Sequence, residues 1–205
     1  MRAVILRPPS SLLEARRRTG ADLRDEMWEG ILHMVPPPSS WHQRFSSELF
    51  QLLAPVAKSK GLQPLFETGL FRPDSDEPDL DDPRSASQPG PLRPDVRVPD
   101  LLFARPERLS ERGVEGGAEL VVELLSEGDE SREKLGFYEQ LGVGEALLID
   151  PDTREVELYA LRGGRLHLVL PDEKGAIRLH LLGVALGKAA GPKLALAWPE
   201  GNAEL

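Results

Sequence analysis

Apolar residues recur at helical spacing in three stretches of the chain and alternate with polar ones through most of the rest. Over residues 10–26, Leu12, Leu13, Ala15 and Leu23 give a broken apolar face, with Arg16, Arg17 and Arg18 on the polar side. Ser10 or Ser11 is placed to cap this first helix. Residues 30–35 read as a short strand, stopped by Pro36-Pro37-Pro38, which cannot donate to a ladder. Ser39 or Ser40 opens a second helix that runs to about Lys60 and is closed by Gly61. Phe45, Leu49, Leu52, Leu53 and Val56 form its apolar stripe, and Pro55 within it predicts a kink or an early stop.

Residues 62–72 alternate as a strand. Residues 73–94 carry Pro73, Pro78, Pro83, Pro89, Pro91 and Pro94 among a run of acids, and predict a long polar loop. Loops beyond about 12–15 residues in a compact domain are functional or disordered. A strand over 96–103, interrupted by Pro99, comes next. Residues 118–125 form a mainly apolar strand expected at the centre of a sheet. Helix 130–141 follows, with Leu135, Tyr138 and Leu141 inward and Gly142 at its end. A buried strand over 145–149, a turn at 150–153 and strands 154–161 and 165–170 joined by Gly163-Gly164 continue the pattern. A last strand lies near 176–182, and the tail from Gly187 reads as weakly ordered strand or coil. The order predicts an α/β fold: a mixed sheet flanked by helices, with C-terminal hairpins. It is read as one domain over residues 1–205, with its core over about 22–170.

Composition narrows the chemistry. At roughly 100–200 residues per domain, 205 residues suit a single domain. A chain of that length buries about 70% of its unfolded surface and needs no staple. Cysteine is absent, which excludes a disulfide scaffold, a zinc ribbon and a thiol nucleophile. The formal charge of −9 excludes attachment to DNA through net charge, so a nucleic-acid contact requires a local basic patch. Only Ala3 to Leu6 are apolar before Arg7, short of a secretory signal, and no window approaches a membrane span. The expectation is a cytoplasmic protein without a membrane partner.

Two acids stand at strand positions. Asp100 follows Pro99, and Glu123 sits within Leu120-Val121-Val122-Glu123-Leu124-Leu125. Alternation puts Glu123 on the face of Val121 and Leu125. An ionised carboxylate in a covered sheet needs a lysine, an arginine or a divalent cation as partner. Arginines number 19 against six lysines, and between Lys60 and Lys174 the single lysine is Lys134. It falls early in the helix leaving the Glu123 strand, where its flexible stem can reach back to the strand's end.

The series Pro99-Asp100, Glu123 in Val-Val-Glu-Leu-Leu-Ser, Lys134 in Lys-Leu-Gly-Phe-Tyr, Gly142-Val143 and Leu148-Ile149-Asp150-Pro151 resembles the Uma-type restriction endonuclease family of the PD-(D/E)XK nuclease superfamily. Upstream, Glu26-Met27-Trp28-Glu29-Gly30 resembles that family's Glu-Leu-Ile-Asp-Gly segment. Pro36 to His42 resembles its proline-rich turn before a helix-start histidine. The resemblance covers about residues 22–162. The chain departs from the plain superfamily motif at Leu125, where a lysine is usual, and has Glu145-Ala146-Leu147 where the family has aromatics.

The resemblance implies hydrolysis of phosphodiester bonds in nucleic acid, with DNA the expected substrate and Mg²⁺ or Mn²⁺ the cofactor. Asp100 and Glu123 are the implied metal ligands, with a main-chain carbonyl of Leu124 or Leu125 beside them. Lys134 is the implied catalytic amine, orienting water and offsetting charge at phosphorus. Glu26 is an outer carboxylate and His42 a substrate contact. A homodimer suits the cutting of two strands. Six arginines between Arg84 and Arg112, against four acids, make a local basic patch around Asp100, and nominate Arg97 and Arg105 for substrate.

Other readings of the same residues remain open. Glu123 and Lys134 also fit a structural ion pair, Glu26 a solvated helix end, His42 a helix cap, and Asp95 rivals Asp100. The alternative function is a degenerate nuclease fold serving as a DNA-binding or assembly module. A further one is an acidic interaction protein using residues 74–82.

Overall fold

The computed structural model describes residues 3–6, 8–73, 95–126, 128 and 130–205. Apart from Pro73, the loop expected over 73–94 lies outside the described residues, as do Arg84 and Arg93.

The fold is α/β, and the described residues form two six-stranded sheets and a four-stranded one. The first sheet gathers β1 (Ala3–Leu6), β2 (Glu26–Trp28), β3 (Ile31–Met34), β5 (Leu70–Phe71), β6 (Val96–Arg97) and β8 (Val114–Glu115), in the order β1-β3-β2-β6-β5-β8. The second gathers β4 (Gln63–Phe66), β7 (Leu101–Ala104), β9 (Leu120–Leu124), β10 (Glu145–Ile149), β11 (Val156–Arg162) and β12 (Arg165–Val169), in the order β12-β11-β10-β9-β7-β4. The third is antiparallel: β13 (Ile177–Leu179), β14 (Val184–Lys188), β15 (Leu194–Trp198) and β16 (Gly201–Glu204). The α-helices among the described residues are α1 (Ser10–Thr19), α2 (Ser40–Ser59) and α3 (Leu135–Leu141).

The second sheet is covered on both faces, which explains the apolar run of β9. Leu120, Val122 and Leu124 face Phe45, Leu49 and Leu53 of α2 and the inner residues of the third sheet. Val121 faces Phe137 and Tyr138 of α3. Strands β9 and β10 are parallel and joined through α3, as the pattern predicts. Gly163 and Gly164, at φ 59° and 80°, make the two-residue turn between β11 and β12.

Several elements correct the expectations. Helix α1 ends at Thr19, not 26. Gly20 adopts φ 68° and its N–H closes on the carbonyls of Arg16 and Arg17, freeing 26–28 to become a strand. Its N-cap is Pro9, without a side-chain cap. Helix α2 runs through Pro55 to Ser59. Pro55 and Gln51, whose carbonyl loses its partner, are both exposed, so water can satisfy that group. The tail from Gly187 is not weakly ordered: β15 and β16 extend the third sheet and bury Leu194 and Leu196.

The expected strands 62–72 and 96–103 each divide between two sheets. Strand β4 pairs with β7 in the second sheet, and β5 pairs with β6 in the first. The ribbon they form therefore bends twice, at Glu67–Gly69 and at Val98–Asp100. Glu67 takes φ 46° at one bend, and Pro99, which has no N–H to donate, marks the other. Glu67 N–H donates to the Asp100 carbonyl at 3.0 Å, locking the bends together. The candidate residues converge at this corner.

Candidate active site

The register of the second sheet brings the two acids together. Strands β7 and β9 are antiparallel, with Leu101 opposite Val122, so Asp100 reaches the position beside Glu123. Asp100 Oδ2 accepts from Leu124 N–H at 2.7 Å, and Oδ1 pairs with His42 Nε2 at 2.8 Å. His42 is set by the start of α2, where Ser39 accepts from its backbone N–H at 3.1 Å. Both the expected cap and the histidine's nearness to the site are thus observed.

Lys134 stands at the N-cap of α3 and turns back onto β9. Its Nζ lies 3.0 Å from Glu123 Oε1 and 2.8 Å from Glu26 Oε1. All three side chains are nearly inaccessible, at 3%, 4% and 1% exposure. Glu26 is therefore no solvated helix end. It sits on β2, where Oε2 accepts from Trp28 Nε1 at 2.8 Å and Oε1 from Val98 N–H at 2.9 Å. Tyr138, one turn after Lys134, donates its hydroxyl to Glu123 Oε1. From the sequence pattern Tyr138 reads only as a core residue. The i, i+4 spacing with Lys134 was the available signal, since a buried tyrosine hydroxyl needs a partner.

These four charges are unbalanced. With the carboxylates ionised, Glu26, Glu123 and Asp100 against Lys134 leave two negative charges at one corner of the fold. Burial pushes Glu123 up to about 7. Lys134 draws it down, while Asp100 and Glu26 add to the rise. Burial alone lowers Lys134, but Glu123 and Glu26 outweigh it and push the ammonium up, so it stays charged. Tyr138 is likewise raised, by burial and then by Glu123.

This gives a pH prediction for the metal-free protein. Folding raises the Glu123 carboxyl above its ordinary value, so the folded chain holds the extra proton between 4.5 and about 7. The stability from this group is fully present below that window and is lost as pH rises through about 7. Urea unfolding midpoints measured across the window should fall with pH, and Glu123→Gln should flatten that dependence.

The four groups open onto a cleft of about 620 Å³, lined also by Arg24, Trp41, Arg44, Glu67 and Arg154. Glu123 lines the cleft, and its Oε2 accepts no hydrogen bond among the described residues. Among the described residues no group of three or more His, Cys, Asp and Glu is arranged to hold a metal. The donor set still fits magnesium, which takes oxygen ligands, keeps several waters and commonly uses one or two carboxylates.

The two arginines nominated for substrate are not brought to the cleft. Arg97 is buried, its guanidinium stacked 4.4 Å from Trp28 and 4.2 Å from Phe137, with Nη1 donating to the Met27 carbonyl at 2.6 Å. Burial lowers its pKa. It packs the first sheet against α3. Arg105 is 61% exposed and bridges Glu119 at 2.9 Å, away from the cleft. Asp95 accepts from Glu29 N–H and pairs with Arg72, also outside the cleft.

Fold and corner together define a restriction-endonuclease-like protein. A crystal structure described as a putative nuclease belonging to DUF820, from Anabaena variabilis, superposes with a TM-score of 0.55 at 18% identity. The match covers 77% of this chain and 82% of that one, and supports the shared fold. The model of the Uma2 family, described as "Putative restriction endonuclease", matches residues 12–187, and the chain belongs to that family. No curated protein sequence matches it. The family implies a nucleic-acid substrate and the use of a divalent metal. Among the described residues no helix is long and apolar enough to cross a membrane.

Proposed function

We propose that the protein is a Mg²⁺- or Mn²⁺-dependent nuclease that hydrolyses phosphodiester bonds of DNA. The observation that carries this reading is Lys134, a buried ammonium shared by Glu26 and Glu123 beside Asp100, at a cleft with surplus negative charge. A structural ion pair has no need of a third and fourth charge, and surplus buried charge is costly unless a cation answers it.

Asp100 and Glu123 would hold the ion, with Glu123 Oε2 free of other hydrogen bonds among the described residues. A divalent ion there supplies positive charge at the attacked phosphate and makes water a stronger nucleophile at neutral pH. Lys134 has three donors, of which Glu26 and Glu123 take two. The third is available to orient water or a phosphate oxygen. Because its pKa is raised, Lys134 acts as a fixed positive charge and not as a base. His42 and Leu124 N–H hold the Asp100 carboxylate in one orientation, and Tyr138 does the same for Glu123. Glu26 keeps Lys134 in place and charged.

The test is cleavage of plasmid and oligonucleotide DNA by purified protein. Cleavage should require added Mg²⁺ or Mn²⁺, stop in chelator, and fall at least about 10²-fold in Asp100→Asn, as expected when one group of an electrostatic site is removed. Cutting that persists in chelator, or in Asp100→Asn, would assign the activity elsewhere. DNA binding by a wild type that never cuts would identify the degenerate module.

A further inference from the structure

Among the described residues three arginines line the cleft, and two are already committed. Arg24 bridges Glu67 at 2.7 Å and Arg44 bridges Glu48 at 2.7 Å. Arg154 bridges no carboxylate among the described residues, and its buried Nε has no hydrogen-bond partner. Asp150 feels its charge but spends Oδ1 on the N–H groups of Asp152 and Thr153. The Arg154 guanidinium instead lies over the Phe45 ring, 4.8 Å from its centroid. Its backbone holds φ 62°, a left-handed conformation that suits glycine or asparagine far better than arginine. An arginine that bridges no carboxylate among the described residues, held on a strained backbone and half-buried at the cleft, keeps its charge for a ligand. It is an anion site in waiting.

Trp41 completes the picture. It lines the same cleft, is 75% exposed, and directly precedes His42, whose ring holds Asp100. Phe45, on which Arg154 rests, lies one helical turn after Trp41 on the same face of α2. Trp41 and the ring that carries the guanidinium thus both belong to the first turns of α2, and Trp41 and Arg154 both line the cleft. A nucleic-acid strand carries a phosphate and a base in every repeat.

We infer that the cleft binds single-stranded nucleic acid, with Arg154 on a backbone phosphate and Trp41 stacked on the face of an unpaired base. The inference rests on the nuclease reading and names its substrate form. A duplex hides its base faces within the stack, so Trp41 can add affinity only where bases are unpaired. Stacking on an exposed aromatic strengthens binding about tenfold or more per base. A single strand also needs only one scission, so one copy of the chain suffices.

The experiment is fluorescence anisotropy with a labelled oligothymidylate, alone and annealed to its complement, in chelator so that neither is cut. Wild type should bind the single strand about tenfold tighter than the duplex. Trp41→Ala should abolish that preference and Trp41→Phe should keep most of it. Arg154→Gly and Arg154→Asn, both suited to the backbone at this position, should weaken binding to each form about tenfold. They should also lower the slope of log affinity against log salt by about 0.7 on the single strand, one phosphate contact, while Trp41→Ala leaves that slope unchanged. Thermal melts no lower than wild type for the Arg154 variants would show that the loss is one of binding. Equal or tighter binding of duplex, or wild-type binding by the Trp41→Ala and Arg154 variants, would overturn the inference. Metal-dependent cutting of duplex in preference to single strand would overturn it while leaving the nuclease reading intact. Absence of both metal binding and cleavage would overturn that reading itself.

Discussion

Lys134→Met is expected to cost about 3–5 kcal/mol of folding stability at alkaline pH and to abolish cleavage. Methionine keeps the packing volume but leaves Glu26 and Glu123 facing each other with no cation between them, beside Asp100. Removing one partner from a buried ionic group leaves uncompensated charge, and that is where the large penalty arises. The sign of the pH dependence follows. With the ammonium gone, the carboxyls are relieved only by taking up protons, so the deficit is greatest at high pH and shrinks as pH falls. Chemical denaturation of the variant at acid and alkaline pH measures it. Adding Glu123→Gln to Lys134→Met should recover a large part of the lost stability and none of the cleavage. A fully additive double mutant would show that the two groups are not coupled.

Glu123→Gln alone is expected to behave in the opposite way: a fold as stable as wild type or more so, with divalent-metal binding lost. Glutamine Oε1 can still accept from Lys134 and Tyr138, and Lys134 keeps Glu26. The substitution removes the charge that burial, Asp100 and Glu26 all disfavour. Toward the cleft, however, it replaces a carboxylate oxygen with an NH₂ group, which repels a cation. A residue whose neutral form suits the fold and whose charged form suits a ligand is what a functional site leads one to expect. The same trade-off applies at Arg154, strained in the fold and unpaired at the cleft.

Much of this site was legible in the chain. Glu123 stood out because a carboxylate in a run of apolar strand residues demands a partner. Lys134 stood out because lysine is rare in an arginine-rich sequence. Asp100 is marked by its strand position after Pro99, but its meeting with Glu123 depends on antiparallel pairing between β7 and β9, which no local pattern reveals. Glu26 was nominated by resemblance but put at the end of a helix. The stop at Gly20 was hidden because Leu23 continued the apolar spacing. The double bend of the β4–β7 ribbon was missed because alternation persists through each bend while the strand changes sheets. Arg97 and Arg105 do not line the cleft, which the sequence hides, because a run of arginines reads as a surface patch in one dimension. Arg97 turns inward between two aromatic rings. The last strands were missed because Ala185, Gly187, Ala195 and Ala197 blur the contrast with Val184, Leu186, Leu194 and Leu196.

The central claim is that Asp100, Glu123 and Lys134 form a metal-dependent catalytic corner and not a structural ion cluster. Calorimetric titration of Mn²⁺ into metal-free wild type, beside Glu123→Gln, tests it most directly. One site per chain in the wild type, absent from a variant that melts no lower, is the predicted result. A folded wild type that binds no Mn²⁺, or a Glu123→Gln protein that binds it equally well, would contradict the account and leave Glu26, Lys134 and Glu123 as a buried structural triad.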